Sequence, residues 1–275
     1  MIDRDGVTIR YEAHGRGPAL LLTHCFGSTM RLWDRQVARF ADRHRIVIWD
    51  IRGHGGSGDP IDPALYSQAL TIGDMAALLD ACGIESAILG GLGLGGLMSL
   101  AFHRIHRERV AGLVLCDSGP GYRNHEAREA WNYRVKSHAH QLETKGFAAL
   151  GRGRETMIAA HRSPIALANA ARGMAVQNDA LVHESLSTIR VPTLVIVGAA
   201  DHDYFSAATF MTAMIPGARR VVIPDAGAIS NLDQPAAFNR AFGAFLTDLR
   251  NAAAAPTRRP GRAQTPPGAG RVSYG

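Results

Sequence analysis

Short runs of apolar residues recur along the chain, and amphipathic stretches separate them. Runs typical of buried strands cover residues 19–23, 46–50, 87–89, 113–116, 193–197 and 221–223. Stretches with helical periodicity cover residues 30–40, 72–82, 97–105, 204–214 and 236–249. Strands that alternate with helices predict a parallel sheet with helices on both faces. Wholly apolar strands agree with this arrangement, because such a sheet is covered on both sides.

Three segments depart from this alternation. Residues 7–11 alternate between polar and apolar and lead to a turn at 15–18, which predicts a hairpin strand. Residues 120–189 have helical periodicity and no strong strand, so we predict a helical lid over a crevice at the carboxyl ends of the strands. Residues 251–275 are rich in Ala, Pro, Gly and Arg, which predicts a disordered tail after a single domain of residues 1–250.

Composition and charge narrow the classes of function. The chain has 275 residues, 46% of them hydrophobic, which is enough for one large α/β domain. The formal net charge is +6, but four of these charges are arginines after Asn251, where no acid follows, so we expect no nucleic-acid partner. The cysteines number three and are scattered, which argues against a disulfide framework or a zinc site.

The beginning of the chain and its apolar runs bear on localisation. The first residues contain no apolar signal core, and no apolar run is long enough to span a bilayer. We therefore expect a cytoplasmic protein with no membrane partner, no metal and no cofactor. The oligomeric state stays open.

A glycine-rich run lies between a predicted strand and a predicted helix. Residues Gly91-Leu92-Gly93-Leu94-Gly95 follow the pattern small-x-nucleophile-x-small of a nucleophile elbow, but glycine stands at the central position. Gly93 has no side chain and cannot attack a substrate. Glycines 91, 93 and 96 also fit the G-x-G-x-x-G pattern of dinucleotide-binding proteins, which is weak evidence by itself.

Four further segments carry recognisable motifs. Residues 50–58 match D-x-R-G-H-G-x-S-G, and His24-Cys25-Phe26-Gly27 is similar to an H-G-x-G oxyanion loop with cysteine at its second position. Residues 197–201 are similar to a loop that carries a catalytic acid, and residues 224–235 to a segment that carries a catalytic base. Together with the elbow, and in this order, they resemble the α/β-hydrolase superfamily, in particular its small esterases, lactonases and C–C hydrolase-like members. The resemblance covers residues 6–249, and five motifs in order outweigh the single G-x-G-x-x-G match that would indicate a dinucleotide-binding site.

The resemblance implies an α/β-hydrolase fold, with a mostly parallel central sheet, flanking helices and a helical lid. It also assigns positions to a catalytic triad: Gly93 for the nucleophile, Asp201 for the acid and Ala228 for the base. Only the acid is retained, and no histidine lies within 224–235. The resemblance assigns the oxyanion hole to the backbone N–H groups of Phe26 and Leu94, which side-chain changes do not remove.

Several further residues are candidates for the site, and for most of them a structural role competes with a functional one. His24, Cys25, Leu92 and Trp131 are candidates for the pocket. For Cys25 we favour a small buried residue over a substitute nucleophile. For Asp117 we favour a cap of the turn at 118–120 over an alternative acid. We favour a structural role for the histidine at position 54, a solvated helix end for those at 103 and 106, and exposed positions for those at 125, 138, 140, 161 and 183.

Three hypotheses for function follow. We favour a protein with a vacated triad that binds a small ester, acyl or carbonyl compound and forms no acyl-enzyme. The first alternative is a lyase, cyclase or isomerase that uses the oxyanion hole, with Asp201, His24 or His202 moving protons. The second alternative is a carboxylic-ester or lactone hydrolase that substitution has disabled, either naturally or by design.

Overall fold

The computed structural model describes residues 1–254. A seven-stranded sheet in the order β3-β5-β4-β6-β7-β8-β9 forms its centre, and β1 and β2 form a separate antiparallel pair. Strand β3 runs antiparallel to β5, and all other pairings in the large sheet are parallel. The strands are β1 Ile2–Arg4, β2 Val7–Ile9, β3 Tyr11–His14, β4 Ala19–Thr23, β5 Arg45–Trp49, β6 Ala87–Leu92, β7 Val110–Cys116, β8 Thr193–Gly198 and β9 Arg219–Ile223.

Helices cover both faces of the sheet, as the apolar strands predict. The helices are α1 Asp34–Phe40, α2 Gln68–Ala81, α3 Leu94–Ile105, α4 His125–Lys145, α5 Arg154–Met157, α6 Pro164–Ala170, α7 Leu181–Ser185, α8 Phe205–Met214, α9 Ser230–Asp233 and α10 Pro235–Ala254. Apolar side chains of α2, α3 and α8 pack in the core on one face of the sheet, and those of α1 and α10 pack on the other. This architecture confirms the predicted fold class.

Residues 120–189, which we call the helical segment, lie between β7 and β8. They contain α4 to α7 and a π-helix at Ala171–Ala175, and the structure shows no strand there. Asn124 and Ser163 accept hydrogen bonds from backbone N–H groups in the first turns of α4 and α6 and so cap these helices. A small core that includes Ala139, Leu142 and Leu167 joins α4 to α6. The role of this segment as a lid stays a prediction.

Two predictions about the ends of the chain are wrong. Residues 7–9 do form a hairpin strand, but their partner is β1 and not a strand beyond the turn at 15–18. No hairpin crosses that turn, because β5 lies between β3 and β4 and pairs Tyr11 with Trp49. The predicted tail begins too early, because α10 continues through Ala254. The remainder of that predicted tail, residues 255–275, lies outside the described residues. Within residues 1–254, no helix is both long and apolar enough to cross a membrane.

Candidate active site

The elbow forms the connection between β6 and α3. Gly93 lies there with φ 54° and ψ −116°, and its N–H donates to the carbonyl oxygens of Cys116 and Asp117 at 3.0 and 3.1 Å. Glycine adopts a positive φ without the clash that a Cβ atom would cause. A Cβ atom at Gly95 would lie 2.2 Å from the carbonyl oxygen of Thr23, so the turn also packs too closely against β4 for a larger residue. Glycines therefore build the turn, but none supplies a reactive side chain.

Cys25 lies directly opposite the elbow. A Cβ atom at Gly93 would lie 3.1 Å from the Cβ atom of Cys25, which is closer than ordinary van der Waals contact. Cys25 lines the cavity described below but is only 7% exposed. Burial, together with the nearby carboxylate of Glu155, raises the pKa of its thiol far above the usual range. The thiol is therefore protonated at neutral pH, which agrees with the interpretation of Cys25 as a small buried residue.

Two residues that carry candidate backbone donors line the same cavity. Phe26 follows Cys25 in the oxyanion loop, Leu94 is the first residue of α3, and both line the cavity. In the described part of the chain, the N–H groups of both residues are without a hydrogen-bond acceptor. Free N–H groups at the start of a helix, beside those of a loop, can bind a carbonyl oxygen or an oxyanion.

Asp201, the position that the resemblance assigned to the acid, lies in the loop that follows β8. Asp201 accepts hydrogen bonds at Oδ1 from the N–H groups of Asp203 and Tyr204, at 3.1 and 3.0 Å. Its Oδ2 atom is buried and has no hydrogen-bond partner among the described residues. Burial raises the pKa of this carboxyl group. A buried acceptor without a donor destabilises a protein by about 1–3 kcal/mol. The Oδ2 atom of Asp201 is such an acceptor among the described residues, and an added N–H donor could satisfy it.

The segment that would carry the base lies beside the acid. The N–H group of Ala200 donates to the carbonyl oxygen of Ala226 at 2.9 Å and so joins the two loops. Ala228 follows two residues later and lines the cavity. Its methyl group offers no nitrogen to Asp201 and no base to the elbow.

Asp117 does not cap the turn at 118–120, and this prediction is wrong. Its Oδ1 accepts from the N–H group of Gly198 at 2.8 Å, and its Oδ2 accepts from the N–H and hydroxyl groups of Ser230 at 2.9 and 2.5 Å. Asp117 thus joins the carboxyl ends of β7 and β8 to the start of α9. Burial raises its pKa to about 6, although these hydrogen bonds oppose the shift. Only its position directly after a buried strand indicated such a role in the sequence.

A cavity of about 920 Å³ lies between the strand ends and the helical segment. Leu92, Gly93 and Ala228 line its floor, and Trp131 and Val135 of α4 line the opposite side. The indole N–H of Trp131 donates to the carbonyl oxygen of Ala175 at 2.8 Å, which holds the ring against the π-helix. The structure therefore brings together the pocket candidates Cys25, Leu92 and Trp131 with the positions that the resemblance assigned to nucleophile, base and oxyanion hole.

His24 is not a pocket residue, and this prediction is wrong. Its side chain is fully buried and does not line the cavity. Its Nδ1–H donates to the carbonyl oxygen of Cys25 at 2.7 Å, and its Nε2 accepts from the N–H group of Ile51 at 3.0 Å. Burial lowers the pKa of His24 to about 4, so a neutral ring holds the loop in place.

Several histidines predicted to be exposed are not. His138 and His183 line the cavity, and the ring of His161 is half-buried against His54. His103 is also buried, whereas we predicted a solvated helix end. The structural role favoured for His54 agrees with its fully buried ring. Within residues 1–254, no group of three or more His, Cys, Asp or Glu side chains could hold a metal ion.

The sequence interpretation also missed Glu155, for which no motif gave a signal. This residue of the short helix α5 lines the cavity, and its carboxylate makes no hydrogen bond or ion pair within the described part of the chain.

Comparison with known proteins identifies the family. The model of the Alpha/beta hydrolase family matches residues 20–241. The chain belongs to this family. It is 30% identical to 3-oxoadipate enol-lactonase 2 of Acinetobacter baylyi over 254 residues, which are 87% of this chain and 93% of the relative.

Solved structures of family members have the same architecture. A hydrolase from Pseudomonas aeruginosa is 30% identical, with a TM-score of 0.73 over 90% of this chain and 97% of its own. A thermophilic esterase from Thermogutta terrifontis is 28% identical, with a TM-score of 0.77 over 88% of this chain and 94% of its own. The named relatives thus include an enol-lactonase and an esterase.

Proposed function

We propose that this chain binds a small ester, lactone or other acyl compound in its cavity without hydrolysing it through a Ser-His-Asp triad. The observation that carries this proposal is that Gly93 and Ala228 both line the cavity beside the free N–H groups of Phe26 and Leu94. A carbonyl group bound by these N–H groups would have the elbow beneath it. No hydroxyl group or imidazole extends from the elbow or from position 228.

The chemical consequence is large. A serine hydroxyl becomes nucleophilic only when an adjacent base accepts its proton, and the acid serves to orient that base. Loss of a whole triad costs about 10⁶ in turnover in a serine protease. The Oδ2 atom of Asp201, which has no partner in the described part of the chain, supports the same proposal, because in a complete triad this carboxylate would accept an imidazole N–H.

Cys25 does not replace the missing nucleophile in this proposal. Burial keeps its thiol protonated, and the adjacent ring of His24 donates its Nδ1–H to the carbonyl oxygen of Cys25. The Nε2 atom of the same ring is already occupied by the N–H group of Ile51. His24 therefore has no free nitrogen to activate the thiol.

The class of ligand follows from the lining of the cavity and from the family. Aromatic and aliphatic side chains, among them Phe26, Leu97, Trp131 and Phe210, favour an apolar acyl or alcohol portion. The free N–H groups favour a carbonyl oxygen at the floor. The named relatives act on lactones and esters, and we extend this substrate class to the ligand of this chain.

Binding and turnover of p-nitrophenyl butyrate test the proposal together. Binding to the purified protein is measured by isothermal titration calorimetry, and release of p-nitrophenolate by absorbance, with an active family esterase as the positive control. We expect saturable binding and, because free N–H groups alone still stabilise an oxyanion, release at least about 10⁴-fold slower than that of the positive control. Saturable turnover faster than this would contradict the missing triad, whereas absence of binding for a panel of esters and lactones would contradict the ligand class.

Glu155 favours a second candidate function, a non-hydrolytic lyase, cyclase or isomerase. Its carboxylate, which has no partner among residues 1–254, shares the cavity with the N–H groups of Phe26 and Leu94. The carboxylate could remove a proton from the carbon next to a carbonyl group, and the N–H groups would stabilise the resulting enolate. Such a reaction proceeds without a covalent enzyme intermediate. Deuterium incorporation beside the carbonyl of a bound acyl compound, measured by NMR, tests this function. Incorporation that Glu155→Gln abolishes supports it, and incorporation at the solvent rate argues against it.

A further inference from the structure

Two imidazole rings hold the backbone of Gly27, at the end of the oxyanion loop. The Gly27 N–H donates to Nε2 of His54 at 3.2 Å, and the Gly27 carbonyl oxygen accepts from Nε2–H of His161 at 3.0 Å. His54 lies in the loop after β5, but His161 lies in the helical segment between α5 and α6. The residue that follows the oxyanion donor Phe26 is therefore bonded both to the sheet side and to the helical segment.

The second nitrogen of His161 extends this connection. Its Nδ1 accepts from the N–H group of Gly55 at 3.1 Å. The neighbouring Arg162 donates to the carboxylate of Asp59 at 2.7 Å and to the carbonyl oxygen of Ser57. Residues 161–162 thus attach the helical segment to two loops at once, the oxyanion loop and the loop of residues 53–59.

These contacts require opposite tautomers in neighbouring rings. His161 accepts at Nδ1, so its proton is on Nε2, where it reaches the carbonyl oxygen of Gly27. His54 accepts at Nε2, so its proton is on Nδ1, where it donates to the carbonyl oxygen of Arg52 at 3.1 Å. Both rings are neutral in this arrangement, because a second proton on either would place two donors against each other.

Packing around Gly27 makes the connection specific. Gly27 has φ 72°, and a Cβ atom there would lie 2.9 Å from Cδ2 of Leu150 in the helical segment. The ring of Phe26 packs edge-on against the rings of His54 and His138, with centroids 5.3 and 5.7 Å apart. The oxyanion loop therefore touches the helical segment through the rings of His161 and His138 and through the side chain of Leu150.

We propose that neutral His161 is a positioning residue that fastens the helical segment to the oxyanion loop and thereby fixes the direction of the Phe26 N–H. This inference goes beyond the proposed function and does not depend on it, since the contacts exist whatever the cavity binds. His161 touches no reacting atom. It acts through Gly27 and Gly55.

The charged and titratable groups around His161 come from three parts of the chain. Asp50, whose negative charge favours a protonated ring, lies at the end of β5. The ring of His54 packs against it, His24 lies close enough for the charges of the two rings to interact, and Arg162 is its neighbour in the chain. Burial outweighs the effect of Asp50 and lowers the pKa of His161 below the usual range. Protonation at acidic pH places a donor at Nδ1 against the Gly55 N–H and breaks that contact.

The test uses the full chain and three variants. His161→Gln keeps one donor and one acceptor, His161→Phe keeps only a ring, and His125→Gln is the matched control at an exposed position. Hydrogen–deuterium exchange is measured at pH 7.5 on the peptides that contain Gly27 and Gly55. We expect about fivefold to tenfold faster exchange at both sites in His161→Phe, which corresponds to one lost hydrogen bond of roughly 1 kcal/mol. Exchange in His161→Gln and in the control should stay within about twofold of the parent.

The exchange rate at Gly27 is decisive, because the Gly27 N–H is bonded to His54 and not to His161. If the substitution removed only the direct hydrogen bonds of His161, exchange of the Gly27 N–H would not change. Unaltered exchange at Gly27 in His161→Phe would overturn the proposal, as would equal effects of the Gln and Phe variants. A second measurement needs no variant. Long-range ¹H–¹⁵N NMR of the parent chain should show the Nε2–H tautomer for His161 and the Nδ1–H tautomer for His54, and the reverse assignment would also overturn it.

Discussion

Restoring a serine and a histidine to the elbow and the base segment should not be enough to restore hydrolysis. The Gly93→Ser and Ala228→His changes supply the two missing side chains. However, the Cβ atom of a serine at position 93 would lie 3.1 Å from the Cβ atom of Cys25. The usual separation of such atoms is about 3.5–4.0 Å. A third change, Cys25→Gly, removes the opposing atom.

Two costs oppose the serine. Overpacking of a close contact costs about 1–3 kcal/mol, and a residue other than glycine at a positive φ such as the 54° of Gly93 costs on the order of 1–3 kcal/mol. Together they are a large part of a typical folding free energy of about 5–15 kcal/mol. Cys25→Gly relieves only the first cost and itself costs up to about 1 kcal/mol in backbone entropy, so the triple variant should regain at most about 2 kcal/mol of stability relative to the double variant.

Cys25→Ala provides the control that makes this prediction specific. Alanine keeps the Cβ atom of residue 25 and removes only the sulfur. Thermal unfolding and hydrolysis of p-nitrophenyl butyrate are measured for the double variant and for the same variant with Ala or Gly at position 25. We expect measurable hydrolysis and higher stability with Gly and little change with Ala. Equal activity and stability with Cys, Ala and Gly at position 25 would refute the steric argument.

Three further predictions concern the surroundings of the site. Asp117→Asn should lower the free energy of unfolding in urea by about 2–3 kcal/mol, because the amide NH₂ group would face the N–H group of Gly198 or Ser230. A decrease below about 0.5 kcal/mol would contradict this. In the folded chain His24 has a pKa of about 4, below its ordinary value of 6.5, so the folded state binds fewer protons than the unfolded state between these pH values. The parent chain should therefore lose about 3 kcal/mol of stability relative to His24→Asn between pH 7 and pH 4, and a difference independent of pH would contradict a neutral buried ring. Trp131→Ala should weaken binding of p-nitrophenyl butyrate at least about tenfold in calorimetry, because a buried aromatic wall of the cavity is lost, and an unchanged Kd would place the ligand elsewhere.

The fold could be predicted because its signals are local. Each buried strand is a short apolar run, and the motifs around Gly93, Asp50 and Asp201 lie at strand ends in the order of the family. Helix α3 begins at Leu94, three residues earlier than predicted, because the elbow itself turns the chain into the helix. The hairpin prediction failed because strand order is not a local property, and nothing near Tyr11 indicates that β5 is its partner.

The composition of the site could be predicted only where a motif marks it. Cys25, Leu92 and Trp131 do line the cavity, but His24 of the same motif as Cys25 has a ring that is buried behind it. Alternation of motif residues does not specify which of two adjacent side chains faces a cavity. The bonds of His161 to Gly27 and Gly55 join residues more than 100 positions apart, so no spacing in the sequence could indicate them.

The absence of an acyl-forming nucleophile is the central claim, and intact-mass measurement tests it most directly. The purified parent chain is incubated with an alkyl fluorophosphonate, a reagent that phosphonylates activated serine, and its mass is recorded beside that of an active family esterase treated in the same way. The elbow has glycine at position 93 and the base segment has alanine at 228, so we predict that the mass of the parent chain does not change. A stoichiometric adduct on any residue that lines the cavity would contradict the account.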